Sequence, residues 1–166
     1  AAFEVINDTN NPKLDNAIIC AGGGGLTAGS CISIKHINPD CNIYTAEPSE
    51  WNDHQQSFEK NERVSMDVNR SGLCDGLLTP TPGKIPFAIN QYYGVSGLSA
   101  PDQMICEAMS FAFNRLNLKL EPSGAVALAC LLANKEQFKE SRTLVMLSGG
   151  NVDEETFSRC LDQASD

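Results

Sequence analysis

Short apolar runs alternate with amphipathic stretches along the chain. The runs around Ile18, Ile43 and Val145 have the length of buried strands, whereas apolar residues three or four positions apart indicate helices. The predicted helices cover residues 1–7, 26–37, 55–60, 85–93, 101–116, 122–134 and 153–162; the predicted strands cover 16–20, 41–46 and 142–147, with a short extended piece at 94–97. Strands that alternate with helices predict an α/β fold with a mainly parallel, open sheet and flanking helices.

The composition agrees with one globular domain and excludes several classes of partner. The 166 residues are 42% hydrophobic and have a net charge of -9, so the chain lacks a basic surface for nucleic acid. No apolar run approaches the ~20 residues that cross a membrane. The seven cysteines are odd in number and scattered, which predicts reduced thiols and a cytoplasmic location.

The strongest local motif lies between the first predicted strand and the helix that follows it. Gly22, Gly23, Gly24 and Gly25 precede Leu26 without interruption. Glycines allow the backbone to turn sharply, so that several N–H groups converge at a helix N-terminus with partial positive charge. This arrangement predicts an anion site, and we expect a phosphate there.

The glycine motif by itself leaves the kind of phosphate ligand open. Residues 23–28 satisfy the G-x-G-x-x-A form of a dinucleotide fingerprint, and Glu47 follows the second strand where a ribose-binding acid would lie. An NAD-binding Rossmann domain is therefore one interpretation. It leaves two later motifs, at 120–129 and 147–153, without a role.

Those motifs are Leu-Glu-Pro-Ser-Gly-Ala-Val-Ala-Leu-Ala at 120–129 and Leu-Ser-Gly-Gly-Asn-Val-Asp at 147–153. Together with the glycine loop, and in this order, they resemble the pyridoxal-phosphate enzymes of fold type II, specifically the serine/threonine dehydratase and serine racemase family. The resemblance covers essentially the whole chain. It implies a complete enzyme that removes water and then ammonia from serine, threonine or a 3-hydroxy acid such as hydroxyaspartate. Outside enzymes, the alternative is a fragment that only binds phosphate or self-associates.

The resemblance also implies which residues contact the cofactor. The backbone amides of the loop would bind the 5′-phosphate, the Ser148 hydroxyl would face the pyridine nitrogen, and Glu121 would lie near the ring. Asp75 and Gly76 match an Asp-Gly element in a loop beside the active site. A simpler interpretation makes Glu121 a carboxylate favoured by its helix dipole and Asp75-Gly76 an ordinary turn. The predicted cofactor-binding residues are Gly22, Gly23, Gly24, Gly25, Leu26, Asp75, Gly76, Glu121 and Ser148.

A divalent cation site is implied by the segment Glu-Pro-Ser-Glu-Trp-Asn-Asp at 47–53. Serine racemase-like enzymes bind a cation here through the Glu, a backbone carbonyl and the Asp, which correspond to Glu47, Trp51 and Asp53. Carboxylate and carbonyl oxygens suit Mg²⁺ or Ca²⁺. The alternative is a solvated acidic loop.

The lysine that this chemistry requires is not found in the chain. In the family it lies in a Ser-x-Lys segment of the first half, and none of the seven lysines here has the flanking pattern of that segment. We therefore expect residues 1–166 to be the carboxyl-terminal half of such an enzyme: part of its large, cofactor-binding domain, without the small substrate domain and the Schiff-base lysine. Alone it should be inactive. Because the missing half leaves apolar surface uncovered, and family members are commonly dimers, we also expect a homodimer.

Overall fold

The computed structural model describes residues 1–8, 13–67, 69 and 71–164. The helices are α1 (Ala2–Asp8), α2 (Gly25–Ile37), α3 (Asp53–Lys60), α4 (Lys84–Tyr92), α5 (Asp102–Leu116), α6 (Pro122–Ala133) and α7 (Glu154–Gln163), and the strands are β1 (Asn16–Cys20), β2 (Asn42–Pro48), β3 (Ser96–Ala100) and β4 (Thr143–Val145). Two short 3-10 helices lie at Ser49–Trp51 and Asp75–Leu77. No described helix combines the length and apolar character that crossing a membrane requires.

The four strands form one sheet in the order β3-β2-β1-β4, and every pair is parallel. In this register Ile18 lies between Tyr44 of β2 and Val145 of β4. The parallel α/β sheet with flanking helices is thus confirmed. Parallel strands place all their carboxyl ends at one edge, so the segments that follow β1, β2 and β4 lie side by side.

Alternate residues of the strands pack on opposite faces of the sheet. Ile18 and Ala46 belong to the larger apolar cluster, built mainly from α5, α6 and α7, whereas Ile19 and Ile43 pack with residues of α1 and α2. This alternation follows from the period of two along a strand. All seven cysteines are free and buried, as the scattered positions predict.

The predicted elements are all present, and most begin within one residue of the predicted position. Two begin two residues away, for reasons that are not local. Helix α3 begins at Asp53 instead of residue 55, because the carboxylate of Glu47 accepts the backbone N–H groups of His54 and Gln55 at its first turn. Strand β3 occupies 96–100 instead of 94–97. Its Gly97 packs directly against Gln55, so contact with α3 selects a segment whose own sequence favours a strand only weakly.

Candidate functional site

The glycine loop makes the turn from β1 into α2, and one of its residues must be glycine. Gly24 has a φ of 86°, in the left-handed region, and a methyl group built there would lie 2.5 Å from Cε1 of His54 and 3.1 Å from Cβ of Pro86. Both the backbone conformation and the available space therefore exclude a side chain. In the described part of the chain, no hydrogen-bond acceptor faces the backbone N–H groups of residues 22–26.

A cavity of about 280 Å³ opens next to this loop, and most of the predicted cofactor-binding residues line it. It is lined by Cys20, Gly22, Gly23, Gly24, Gly25, Leu26, Gly76, Leu77, Glu121, Ser123 and Ser148. Asp75 lies instead in an adjoining cavity of about 240 Å³, which it shares with Glu121. Loop residues, a hydroxyl and a carboxylate thus surround one volume. That they bind a cofactor there stays a prediction.

Ser148 follows β4 and lines the same cavity as the loop. Its Oγ is 3.1 Å from Sγ of Cys20, the last residue of β1. Burial raises the pKa of Cys20, so this thiol stays protonated near neutral pH and can donate to Ser148. The serine hydroxyl proton is then free to donate to a ligand in the cavity. Sequence reasoning did not assign Cys20 to the site.

Glu121 sits at the N-terminal boundary of α6, but its side chain forms no capping hydrogen bond with that helix. Its backbone N–H donates to the carbonyl of Gly149 at 3.1 Å, and its carboxylate packs so tightly on Gly149 that a methyl group there would collide with it. A favourable interaction with the helix dipole requires no capping hydrogen bond, so both interpretations of Glu121 stay open. The contact with Gly149 fixes the turn that contains Ser148 relative to α6.

Gly76 reaches the same cavity through a hydrogen bond that the sequence did not predict. Its N–H donates to Oγ of Ser123 at 3.0 Å and to Oδ1 of Asp75 at 2.8 Å. Ser123 is the second residue of α6, so the Asp-Gly loop is attached to the same helix as Glu121. The side chain of Asp75 faces its own turn, which is the simpler of the two interpretations offered by the sequence.

The three predicted cation ligands lie in the connection between β2 and α3. Glu47 is completely buried, and its two carboxylate oxygens accept the N–H groups of His54 and Gln55, each at 2.8 Å. Asp53 is also completely buried, and neither carboxylate oxygen has a hydrogen-bond partner among the described residues. Burial raises the pKa of Asp53 to about 7, and burial followed by the charge of Asp53 raises the pKa of Glu47.

Two buried acids are costly unless they are protonated or bind an ion, and none of the described residues forms an ion pair with either of them. Within the described ranges no three His, Cys, Asp or Glu side chains come together as a metal site. A cation here would therefore depend on two carboxylates, the Trp51 carbonyl and water.

His54 is a residue of this region to which the sequence assigned no role. Its side chain is completely buried, and Nε2 lies 2.8 Å from the carbonyl oxygen of Gly22 in the glycine loop. Desolvation lowers the pKa of His54, so the ring is neutral near pH 7. No local pattern could have shown this contact, because it joins residues 32 positions apart.

Comparison with known proteins decides which phosphate ligand suits this site. A family model described as "Pyridoxal-phosphate dependent enzyme" matches residues 1–149. The chain belongs to this family. The glycine loop, taken alone, was also compatible with NAD. The family membership selects pyridoxal phosphate.

The chain is 35% identical over 163 residues to the serine racemase of Schizosaccharomyces pombe, a match that covers 98% of this chain and 50% of that protein. It is 33% identical over 161 residues to an L-threo-3-hydroxyaspartate ammonia-lyase from Pseudomonas sp, covering 97% of this chain and 50% of the relative. The solved structure of the processed form of threonine deaminase isoform 2 from Solanum lycopersicum has a TM-score of 0.90 at 26% identity, over 99% of this chain and 48% of that one.

The chain thus spans about half the length of these relatives. That the matching half is the carboxyl-terminal one stays a prediction, based on the lysine-bearing segment of the family's first half, whose flanking pattern none of the seven lysines in residues 1–166 has.

Proposed function

We propose that residues 1–166 form the phosphate- and ring-binding part of an enzyme that removes water and ammonia from a hydroxy amino acid such as serine, threonine or 3-hydroxyaspartate. The observation that supports this most directly is the single cavity between the glycine loop, Glu121 and Ser148. The amides of residues 22–26 would bind the cofactor's phosphate, which the partial positive charge at the N-terminus of α2 favours. Bound pyridoxal phosphate supplies an electron sink for charge that develops at the substrate Cα.

Ser148 would orient the cofactor ring through its nitrogen. A serine hydroxyl is too weak an acid to protonate that nitrogen, whereas a carboxylate at the same place would favour the charged ring. The neutral ring withdraws electrons less strongly, which favours prompt loss of a β-hydroxyl over transamination. Cys20 would support this role by donating its thiol proton to Ser148.

The test is a calorimetric titration of the chain with pyridoxal 5′-phosphate and, separately, with NAD. We expect pyridoxal 5′-phosphate to bind, inorganic phosphate to compete, and Ser148→Ala to weaken binding about tenfold through loss of one hydrogen bond. Ser158→Ala, at an exposed position of α7, is the matched control and should bind like the unmodified chain. Tight binding of NAD with no binding of pyridoxal 5′-phosphate would contradict the proposal.

We further propose that the lysine that bonds to the cofactor comes from outside residues 1–166. None of the residues that line the cavity is a lysine. Borohydride reduction in the presence of pyridoxal 5′-phosphate should leave no stoichiometrically labelled lysine, and the chain alone should release no keto acid from serine or threonine. One uniquely labelled lysine, or deamination by the chain unaided, would overturn this proposal.

A divalent cation is proposed for the connection between β2 and α3. The support is geometric: the carboxylate oxygens of Asp53 are buried and unpartnered within the described ranges, and Glu47 lies close enough for the two charges to interact. Mg²⁺ or Ca²⁺ would neutralise this pair, with the Trp51 carbonyl and water completing the ligand set.

A thermal unfolding series with each cation tests this site. An ion present at about 100 times its dissociation constant stabilises the folded state by about 2.7 kcal/mol. We expect that shift in the unmodified chain and in Asp40→Asn, an exposed control, and its loss in Asp53→Asn. Equal stabilisation by the cation in all three chains would exclude Asp53 as a cation ligand and contradict the proposed site.

We also propose a homodimer and a cytoplasmic location. The buried, free thiols support a reducing compartment. For the dimer, the support is an apolar groove of about 510 Å³ between α2 and α4, which includes Ile32 and the highly exposed Ile85 (74%) and Tyr92 (83%). Sedimentation should show a dimer that Tyr92→Lys weakens and that Phe3→Lys, on α1, leaves intact. A monomer at all concentrations would contradict the proposal.

A further inference from the structure

The carbonyl groups of the glycine loop are bonded to partners outside the cavity. The Gly22 carbonyl oxygen faces Nε2 of His54 at 2.8 Å, the Gly23 carbonyl accepts the N–H of Gly83 at 3.0 Å, and the Gly24 carbonyl accepts the N–H of Ala28 at 2.9 Å. None of these three partners lines the cavity. The loop is therefore held by hydrogen bonds to its carbonyl oxygens, from partners that do not line the cavity.

These anchors determine where the loop amides point. The described chain has no cis peptide bond, and in a trans peptide the C=O and the next residue's N–H point in opposite directions. A carbonyl of Gly22 that faces His54 consequently turns the N–H of Gly23 away from His54. The same relation holds for the next two peptides. Anchored carbonyls thus leave a row of free N–H groups for an anion.

Among the three anchors, His54 is the one that uses a side chain. A carbonyl oxygen accepts hydrogen bonds and cannot donate them, so Nε2 of His54 must bear the proton in this contact. Substitution of His54 would remove this anchor while leaving the two backbone anchors in place. The backbone N–H of His54, which donates to Glu47, would also remain.

The His54 ring is itself firmly placed. Its edge lies against Gly24, where an added methyl group would be 2.5 Å from Cε1. On another side it contacts Phe58, with ring centroids 5.9 Å apart, and Phe58 stacks on Phe87 at 5.6 Å. A buried ring with these contacts has one orientation available, which is the requirement for a residue that positions another group.

We infer that His54 is a positioning residue for the phosphate site: its Nε2–H bond to the Gly22 carbonyl orients the Gly22–Gly23 peptide so that the Gly23 N–H faces the ligand. This inference rests on the proposed function, because it takes the ligand of the loop to be a phosphate. His54 touches no reacting atom. Its contribution is made before the ligand arrives, by reducing the reorganisation that binding requires.

The test compares His54→Leu, which has no donor, with His54→Gln, whose amide nitrogen can occupy the place of Nε2. Phe58→Leu is the matched control, since it disturbs the neighbouring packing of α3 without removing a bond to the loop. Each variant is titrated with pyridoxal 5′-phosphate and with pyridoxal, which lacks the phosphate. We expect His54→Leu to lower the ratio of the affinity for pyridoxal 5′-phosphate to the affinity for pyridoxal about tenfold. In His54→Gln and Phe58→Leu this ratio should stay within about threefold of its value in the unmodified chain.

Nitrogen-15 spectra of the ligand-free chain give a second readout that does not depend on binding. The expected result is a proton on Nε2 of His54, and a Gly23 amide signal that shifts in His54→Leu but is restored in His54→Gln. A proton on Nδ1 instead, or an unchanged ligand ratio in His54→Leu, would overturn the inference while leaving the proposed function intact. If the unmodified chain bound the two ligands equally well, the proposed function would fail. The Gly23 signal would still show whether His54 orients the Gly22–Gly23 peptide.

Discussion

Replacing Gly124 with alanine should destabilise the chain through one defined collision. Gly124 is the third residue of α6, and a methyl group built on it would lie 2.8 Å from the nitrogen and 3.1 Å from the carbonyl carbon of Gly149, and nearer still to the carbonyl oxygen. All three atoms are backbone, so the strain cannot be relieved by a rotamer change. The turn at Ser148 or the start of α6 must move.

The expected magnitude follows from two opposing effects. Overpacking of this kind costs about 1–3 kcal/mol, whereas alanine in place of glycine inside a helix gains at most about 1 kcal/mol. With the full helix gain subtracted, we expect Gly124→Ala to lower the free energy of unfolding by up to about 2 kcal/mol. Gly29→Ala in α2 is the matched control, because no atom lies within 4 Å of its added methyl group. That substitution should raise stability by about 0.5–1 kcal/mol.

Urea unfolding followed by the fluorescence of Trp51 measures both changes. Trp51 is the single tryptophan and is only 2% exposed, so its emission reports loss of the core. The midpoint should fall in Gly124→Ala and rise in Gly29→Ala, with no change in the slope. Because Gly149 adjoins Ser148, Gly124→Ala should also weaken binding of pyridoxal 5′-phosphate. A Gly124→Ala chain as stable as Gly29→Ala would refute the close contact between α6 and the Ser148 turn.

Three further predictions concern other parts of the chain. Asp153 accepts the N–H of Thr156 at the start of α7, and this bond lowers its pKa. The stabilisation is therefore present above about pH 4 and is lost as the pH falls through the lowered pKa of Asp153. At about pH 7 Asp153→Ala should unfold at a lower temperature than the unmodified chain, with Asp153→Asn between the two, and the difference should shrink as the solution is acidified. Gly24→Ala should lose phosphate binding together with stability, whereas Gly23→Ala, where an added methyl group meets no atom within 4 Å, should stay folded. An aromatic disulfide reagent should react slowly with the native chain, whose seven cysteines are buried, and count seven thiols after unfolding; rapid reaction of several thiols would contradict the buried positions.

Local pattern was sufficient for the presence of the elements and for the glycine loop, although not for where α3 and β3 begin. The apolar run before Cys20 and the glycines after it predict a strand, a sharp turn and a helix N-terminus without reference to the rest of the chain, because each depends on neighbouring residues only. The alternation of such units also predicts a parallel sheet. Since parallel strands end at one edge, the sequence could further indicate that Ser148 and the glycine loop would lie near one another.

The contacts between distant segments were decided by the tertiary structure. Glu47 determines where α3 begins from several positions upstream, and His54 anchors the carbonyl of Gly22 from 32 positions away. Cys20 meets Ser148 across 128 positions. Such contacts depend on how α3 and β4 pack against β1, and packing sums many weak interactions along the whole chain, so no short segment specifies it. The sequence therefore determined which residues could bind a phosphate, and the folded sheet decided which side chains orient them.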